Sequence, residues 1–199
     1  MAGRPLLTHV LERAKKIQPI DQVVLTAPPE DTALWDLAAE WFVPVVPRTP
    51  PNVLEGFQRA IQQEKADICV RLTGDNPLLA PALSAQVIGL YWLQPWAPAI
   101  YAHNLNPPTG WPEGLDTEVF PAGLLSGGAW TDREREHVTL RVAQVAKPAV
   151  LWSPVLAPCP RLTVDTAEDL ERVRAIYAHL KPYDFSWQAT LRAAKEAGI

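Results

Sequence analysis

The chain is poor in residues that could staple it covalently or hold a soft metal. Its two cysteines, Cys69 and Cys159, stand alone without CxxC spacing, which points to neither a disulfide framework nor a zinc site. Such cysteine usage fits a reduced, cytoplasmic setting. Positive charge is not in excess either. The 18 Lys and Arg face 22 Asp and Glu, and a net charge of −4 argues against a nucleic-acid partner. No apolar run reaches bilayer-spanning length and no basic-then-apolar leader opens the sequence, so no membrane association is expected. Repeats and low-complexity tracts are lacking, apart from two short look-alike segments taken up below. What the chain has in quantity is proline, 21 of 199 residues, about twice the usual share. Many prolines fall in two connections, Pro95 to Pro121 and Pro148 to Pro160. Their fixed φ stiffens those connections and lowers the entropy lost on folding.

With 48% hydrophobic residues, a chain of this length can bury one sizeable core, and a single α/β domain over 1–199 is expected. Apolar spacing predicts helices after Pro5, over Asp31 to Trp41, after Asn52, and over Pro81 to Leu93. Strands are predicted at Val23 to Thr26, Val43 to Val46 and Ile68 to Thr73, with Pro44 placing the second at an edge. This alternation implies a mostly parallel sheet with helices on both faces. The middle is less regular. Strands are expected at Ile100 to His103 and Leu115 to Phe120, flanking a Pro/Gly-rich loop, and 95–121 reads as an insertion on the substrate side. Thr131 and Glu134 have capping-box spacing, opening a helix through about Ala146. A strand at Val150 to Leu156 and helices capped by Thr166 and Ser186 complete the expectation.

Two segments read almost alike: Arg71-Leu72-Thr73-Gly74-Asp75 and Arg161-Leu162-Thr163-Val164-Asp165. Their aspartates lie 90 residues apart, so only the fold can bring them together. In an open α/β sheet, ligands collect beyond the carboxyl ends of strands. Two carboxylates there suit Mg²⁺ when a phosphate substrate supplies the other ligands. Alternatively, Asp75 caps a turn and Asp165 opens a helix, where an acid favours the helix dipole. Gly74 would let the backbone approach a ligand. Glu134 and His137, three apart on one helix face, are either an acid/base or metal pair or a solvated salt-bridged face. Asp116 and Glu118 share a strand face, which would serve a hydroxyl-rich ligand or face solvent. Of the eight tryptophans, Trp111 in the loop is the better ligand candidate.

Four motifs occur in one order: Arg71 to Pro77, Gly114 to Phe120, Arg135-Glu136-His137-Val138-Thr139, and Arg161 to Thr166. In these the chain resembles, over nearly its whole length, the cytidylyltransferases of spore-coat polysaccharide biosynthesis, relatives of the CMP-sialic acid and CMP-Kdo synthetases. The resemblance implies a three-layer, nucleotide-diphosphosugar-transferase-like (Rossmann-like) α/β fold. It implies CTP and Mg²⁺, with Asp75 and Asp165 as metal ligands and the other two motifs, with Asp116, Glu118 and Glu136, toward a sugar or sugar-acid substrate that Trp111 would also meet if its loop position makes it a ligand contact. The reaction implied joins that substrate to the α-phosphate of CTP and releases pyrophosphate, and His137 would be the base if a hydroxyl needs one. A homodimer covering the Trp/Pro-rich insertion would fit, as would inward packing of the same residues.

The family opens with an apolar strand and a Gly/Arg/Lys loop that grips the triphosphate. Here Met1-Ala2-Gly3-Arg4-Pro5-Leu6-Leu7 resembles the stretch just after that loop. The neighbours of the missing central strand are then expected either to expose unpaired backbone groups or to close together. Arg4 and Arg71 are the partial substitutes for the lost cations. Three readings result: a cytidylyltransferase shortened at its N-terminus, a catalytically inactive member that keeps sugar or protein binding, and a metal-dependent glycosyltransferase.

Overall fold

The computed structural model describes residues 1, 3–94, 99–107, 109–154 and 159–199. Pro5 precedes helix α1 (Leu6–Ala14), whose Val10, Leu11 and Ala14 are buried. Strand β1 (Leu25–Ala27), helix α2 (Thr32–Glu40) and strand β2 (Val45–Pro47) follow, with β1 and β2 paired in parallel. β2 is an edge strand, as Pro44 predicted, because a proline cannot donate to a second neighbour. The Asn52 side chain accepts from Glu55 N at 3.1 Å and caps α3 (Val53–Glu64), which leads to β3 (Ile68–Arg71). Helix α4 (Pro81–Trp92) starts on proline and carries the buried Leu83, Val87 and Ile88.

Strands β4 (Ile100–His103) and β5 (Glu118–Pro121) are followed by a short 3-10 turn. Next come α5 (Asp132–Glu136), α6 (Thr139–Val145), β6 (Lys147–Val150), α7 (Ala167–His179) and α8 (Trp187–Glu196). A four-stranded sheet runs in the order β3-β5-β4-β6, with β5 antiparallel to its neighbours and β4 parallel to β6. The β1–β2 pair forms a second sheet. One apolar cluster joins α4, α7 and α8 around Leu78, Leu83, Leu162, Val173 and Ile176, while another packs Tyr101, Phe120 and Leu125 against α3 and α6. The expected mixed α/β architecture is therefore present.

Three local expectations are corrected. The helix opening at Thr131 does not run through to Ala146: His137 leaves helical geometry (φ −104°, ψ 68°), and the segment divides into α5 and α6. The following strand is Lys147–Val150 rather than Val150 to Leu156; Lys147 and Pro148 are exposed, and proline fits because β6 is an edge. Val155 and Leu156 lie outside the described residues, as do 95–98 and 108 of the insertion. Finally, β5 begins at Glu118, not Leu115. The buried Asn104 side chain donates to Leu115 O (2.9 Å) and accepts from Thr117 N (2.7 Å). One amide thus replaces ladder partners and holds 115–117 out of the sheet.

Candidate active site at the strand ends

β3 runs straight into Thr73-Gly74-Asp75, so Asp75 lies beyond its carboxyl end. The Arg161 to Asp165 segment crosses that end just before α7. Val164 N donates to Asp75 O at 3.0 Å, and Leu162 N donates to Glu113 O at 2.7 Å. The two look-alike segments therefore meet, and the loop before β5 meets them as well. Gly114 makes this approach feasible: at φ +104° a Cβ would stand 2.7 Å from both Leu162 C and Thr163 N. A side chain is excluded there both by backbone geometry and by space.

Arg161 organises the acids. It pairs with Glu113 (3.1 Å), with Asp169 (2.7 Å) and, more tightly, with Asp165 through Oδ2. Asp169 also accepts from Asp165 N at 3.0 Å and Thr166 N at 2.9 Å, completing the capping box of α7. The N–H of Asp165, opposed by burial and aided by Arg161 and Arg172, holds the Asp169 carboxyl well below the usual carboxylate range. Asp169 is thus a fixed anchor, and Asp165 directly precedes the Thr166 cap that it anchors.

Asp116 turns back to accept from Gly114 N at 2.9 Å. Burial pushes its carboxyl up to about 6; the Gly114 N–H opposes this, and the Glu118, Glu113 and Asp75 carboxylates reinforce it. Asp75, Glu113, Asp116 and Glu118 thus share one negative field. Within it, Asp75 Oδ1, Asn76 Oδ1 and Thr163 Oγ1 are buried without a hydrogen-bond partner. Such groups are rare and costly, at about 1–3 kcal/mol each. They are hard oxygen donors of the type a divalent cation takes. Among the described residues no three His, Cys, Asp or Glu are grouped to hold a metal alone. Of the two sequence-nominated aspartates, Asp75 keeps an unpartnered buried oxygen, and Asp165 is paired through Oδ2 with Arg161.

The remaining sequence candidates are dispersed. Glu118 is 1% exposed and bonded to Arg71, its cross-strand partner, and to Tyr101 Oη. That pairing ties Arg71 into the sheet instead of leaving it open to phosphate. Arg4 pairs with Glu12 at 2.9 Å and lies over Trp41. Gly74 is exposed, and a Cβ there would meet only Leu7, at 4.0 Å. Trp111 is no ligand platform: it is 2% exposed, donates from Nε1 to Leu151 O (3.0 Å) and packs edge-on against Trp187. His137 is exposed at the end of α5, and Glu134 is spent on the capping box with Thr131, so they do not form the expected pair on one helix face. Glu136 is exposed and lines a cleft that residues 22–26 and 68–74 also line. Sequence reasoning assigned no role to Asn76, Thr163 or Arg161. Their only signal was membership of the look-alike segments or, for Asn76, of the motif Arg71 to Pro77.

A mixed sheet between helices, with acids converging beyond the strand ends, is the architecture of nucleotidyltransferases. The MobA-like NTP transferase domain matches residues 1–182, and the chain belongs to that family. It is 35% identical over 137 residues to the spore coat polysaccharide biosynthesis protein SpsF of Bacillus subtilis, a match covering 63% of this chain and 53% of that protein. The chain thus spans about half the length of that relative. In fold it is similar to a cytidylyltransferase from Leptospira borgpetersenii (TM-score 0.88, 23% identity, 98% of this chain and 85% of that one). It is also similar to a CMP:2-keto-3-deoxy-manno-octonic acid synthetase complexed with CTP (TM-score 0.64, 15% identity, 89% of each chain). The family match and the SpsF relative bear out the resemblance to the cytidylyltransferase family, and the solved structures bear out its fold. Among the described residues no helix is long and apolar enough to cross a membrane.

Proposed function

We propose that the chain performs nucleotidyl transfer from CTP to a sugar or sugar acid, releasing pyrophosphate, in the making of a surface polysaccharide. The observation that carries this reading is the bond from Val164 N to Asp75 O. It sets two carboxylate-bearing segments side by side where this fold class binds ligands. Asp75 and Asp165 would hold Mg²⁺, which when bound supplies positive charge to the substrate phosphates. Asp75 contributes a buried, unpartnered oxygen. Arg161 fixes Asp165 through one oxygen and orients it. Asn76 and Thr163 offer further acceptors beside them. Asp116 and Glu136 are assigned to the sugar side. A sugar acid whose attacking group is already acidic needs no base; for a plain hydroxyl the exposed His137 is the candidate.

A second reading is favoured by a specific observation. Arg4 and Arg71, the cations assigned to phosphate, are both engaged with carboxylates. Without such cations, a member of this family would bind a sugar or a protein without turning over nucleotide. Pyrophosphate release from CTP, compared with other nucleotides over a panel of 2-keto sugar acids, separates the readings. Turnover is expected with CTP, and Asp75→Asn or Asp165→Asn should lower it at least about 100-fold with unchanged circular dichroism. Wild-type rates in both variants would overturn the two-aspartate site. Ligand binding without turnover would establish the second reading, and consumption of a nucleotide sugar without pyrophosphate would establish a glycosyltransferase.

A further inference from the structure

The Asp75 carboxylate is aimed by its main chain. Asp75 Oδ1 is buried without a hydrogen-bond partner, so no neighbouring side chain holds that oxygen in place. What directs it is the turn it belongs to. Asn76 N donates to Thr73 O (3.3 Å), and Leu79 N donates to Asn76 O (3.2 Å). Leu78, Leu79 and Ala80 are then buried ahead of α4.

Three carbonyls of this segment are held from outside it. Val164 N, just before α7, donates to Asp75 O at 3.0 Å. Tyr177 Oη, near the end of α7, donates to Pro77 O at 2.6 Å. Arg13 Nη1, near the end of α1, donates to Leu79 O at 2.9 Å. Among the described residues no backbone N–H reaches Pro77 O or Leu79 O, so these two side chains supply their bonds.

Neither polar group is needed to fill space. Arg13 is 2% exposed and lies over the rings of Tyr177 (5.9 Å) and Phe185 (4.9 Å). Among the described residues no carboxylate pairs with it. A buried charge without a counter-charge is costly, and an apolar residue of similar volume in such a place is often neutral or stabilising. Methionine would therefore serve packing as well. What the guanidinium adds is a directed, charge-assisted bond at one carbonyl. Tyr177 is alike in this. Its ring packs against the α4, α7 and α8 cluster and against His9 (4.6 Å), which a phenylalanine would do equally. Its hydroxyl adds only the bond to Pro77 O.

We propose that Arg13 and Tyr177 are positioning residues for Asp75. From α1 and α7 they fix the carbonyls of Leu79 and Pro77, and with them the turn that aims the Asp75 carboxylate. Their effect on turnover rests on the nucleotidyl-transfer reading; the fixing of the turn does not. A displacement of about 1 Å at a reacting centre costs on the order of 100-fold in rate, so bonds this far from the chemistry can matter to it.

Amide hydrogen exchange, read by NMR, tests the fixing without any ligand. The Leu79 and Val164 amides report the turn and its bond to Asp75, whereas those of Cys69 and Val119 report the sheet. Tyr177→Phe and Arg13→Met should each speed exchange at Leu79 and Val164 by at least about 10-fold. Exchange at Cys69 and Val119 and the circular dichroism should stay as in wild type. Arg13→Lys, which keeps a donor, should restore most of the protection. Should Arg13→Met fail to fold, Tyr177→Phe, which keeps the ring, carries the test. Unchanged exchange at Leu79 and Val164 in folded Tyr177→Phe would overturn the proposal. Equal acceleration at the turn and in the sheet would do so too, because it would mark a general stabilising role.

Pyrophosphate release from CTP supplies the second readout. Both variants should lower kcat by about 10- to 100-fold, with KM for CTP within about twofold of wild type, and Arg13→Lys should recover most of the rate. Wild-type kcat in a variant whose turn exchanges faster would overturn the positioning role. A wild type that releases no pyrophosphate would overturn the nucleotidyl-transfer reading instead, and the exchange readout then decides the present inference by itself.

Discussion

Asp116 shows how one buried carboxylate can cost a fold stability. Its carboxyl, lifted to about 6 chiefly by burial, resists ionisation in the fold, whereas in the unfolded chain it titrates near 4. Below about pH 4 both states are protonated and the group is neutral in the balance. As pH rises from about 4 to about 6 the unfolded state gains its charge more readily, and the native state loses relative stability; above about 6 the loss is constant. Asp116→Asn keeps an oxygen for Gly114 N and removes the charge. The variant should be more stable than wild type by roughly 1–3 kcal/mol at pH 7 and equal to it at pH 3, as measured by urea midpoints across that range. A wild type that is the more stable at pH 7 would contradict the buried, crowded carboxylate. Other residue roles were visible only in part. Asp75 and Asp165 could be singled out from their repeated context, but Trp111 could not be told from a ligand platform, because burial of a loop tryptophan depends on a partner, Trp187, far along the chain.

At the scale of elements, caps and spacing did most of the specifying. Asn52, Thr131, Thr166 and Ser186 were read as helix starts, and each accepts a backbone N–H there. The strand boundaries were less legible. β5 is shortened by a side chain, Asn104, that is distant in sequence and invisible to local pattern. Asn104→Ala would strand Leu115 O and Thr117 N in a buried place. A loss of about 2–4 kcal/mol is expected, one unsatisfied buried group for each partner, read as a lower urea midpoint. An unchanged midpoint would mean that water replaces the amide at no cost. β6 was misplaced for a related reason: Lys147 and Pro148 look like a loop, and become strand because β4 offers its edge.

At the scale of the whole molecule, the described residues form two sheets of unequal support. The four-stranded sheet is covered by α4 and by the Phe120 and Leu125 cluster, whereas β1 and β2 are joined to it through helices and not through hydrogen bonds. A two-stranded sheet is marginal alone. In hydrogen exchange under mild denaturant, Ala27 and Arg48 amides should open at lower denaturant than those of Cys69 and Val119. A single shared opening for both sheets would show that α1 and α3 couple them fully.

The sequence by itself determined the alternation of helices and strands, the edge position of β2, the helix caps and the identity of the two aspartate segments. All of these rest on local physics: apolar period, proline's missing N–H and side-chain acceptors beside helix starts. Only the tertiary structure decided that the two aspartate segments meet, that Arg71 is spent on Glu118 and that Trp111 is buried, because each requires partners tens of residues away. It also decided that, among the described residues, β1 and β3 do not pair, with residues of α1 and α3 lining the space between them.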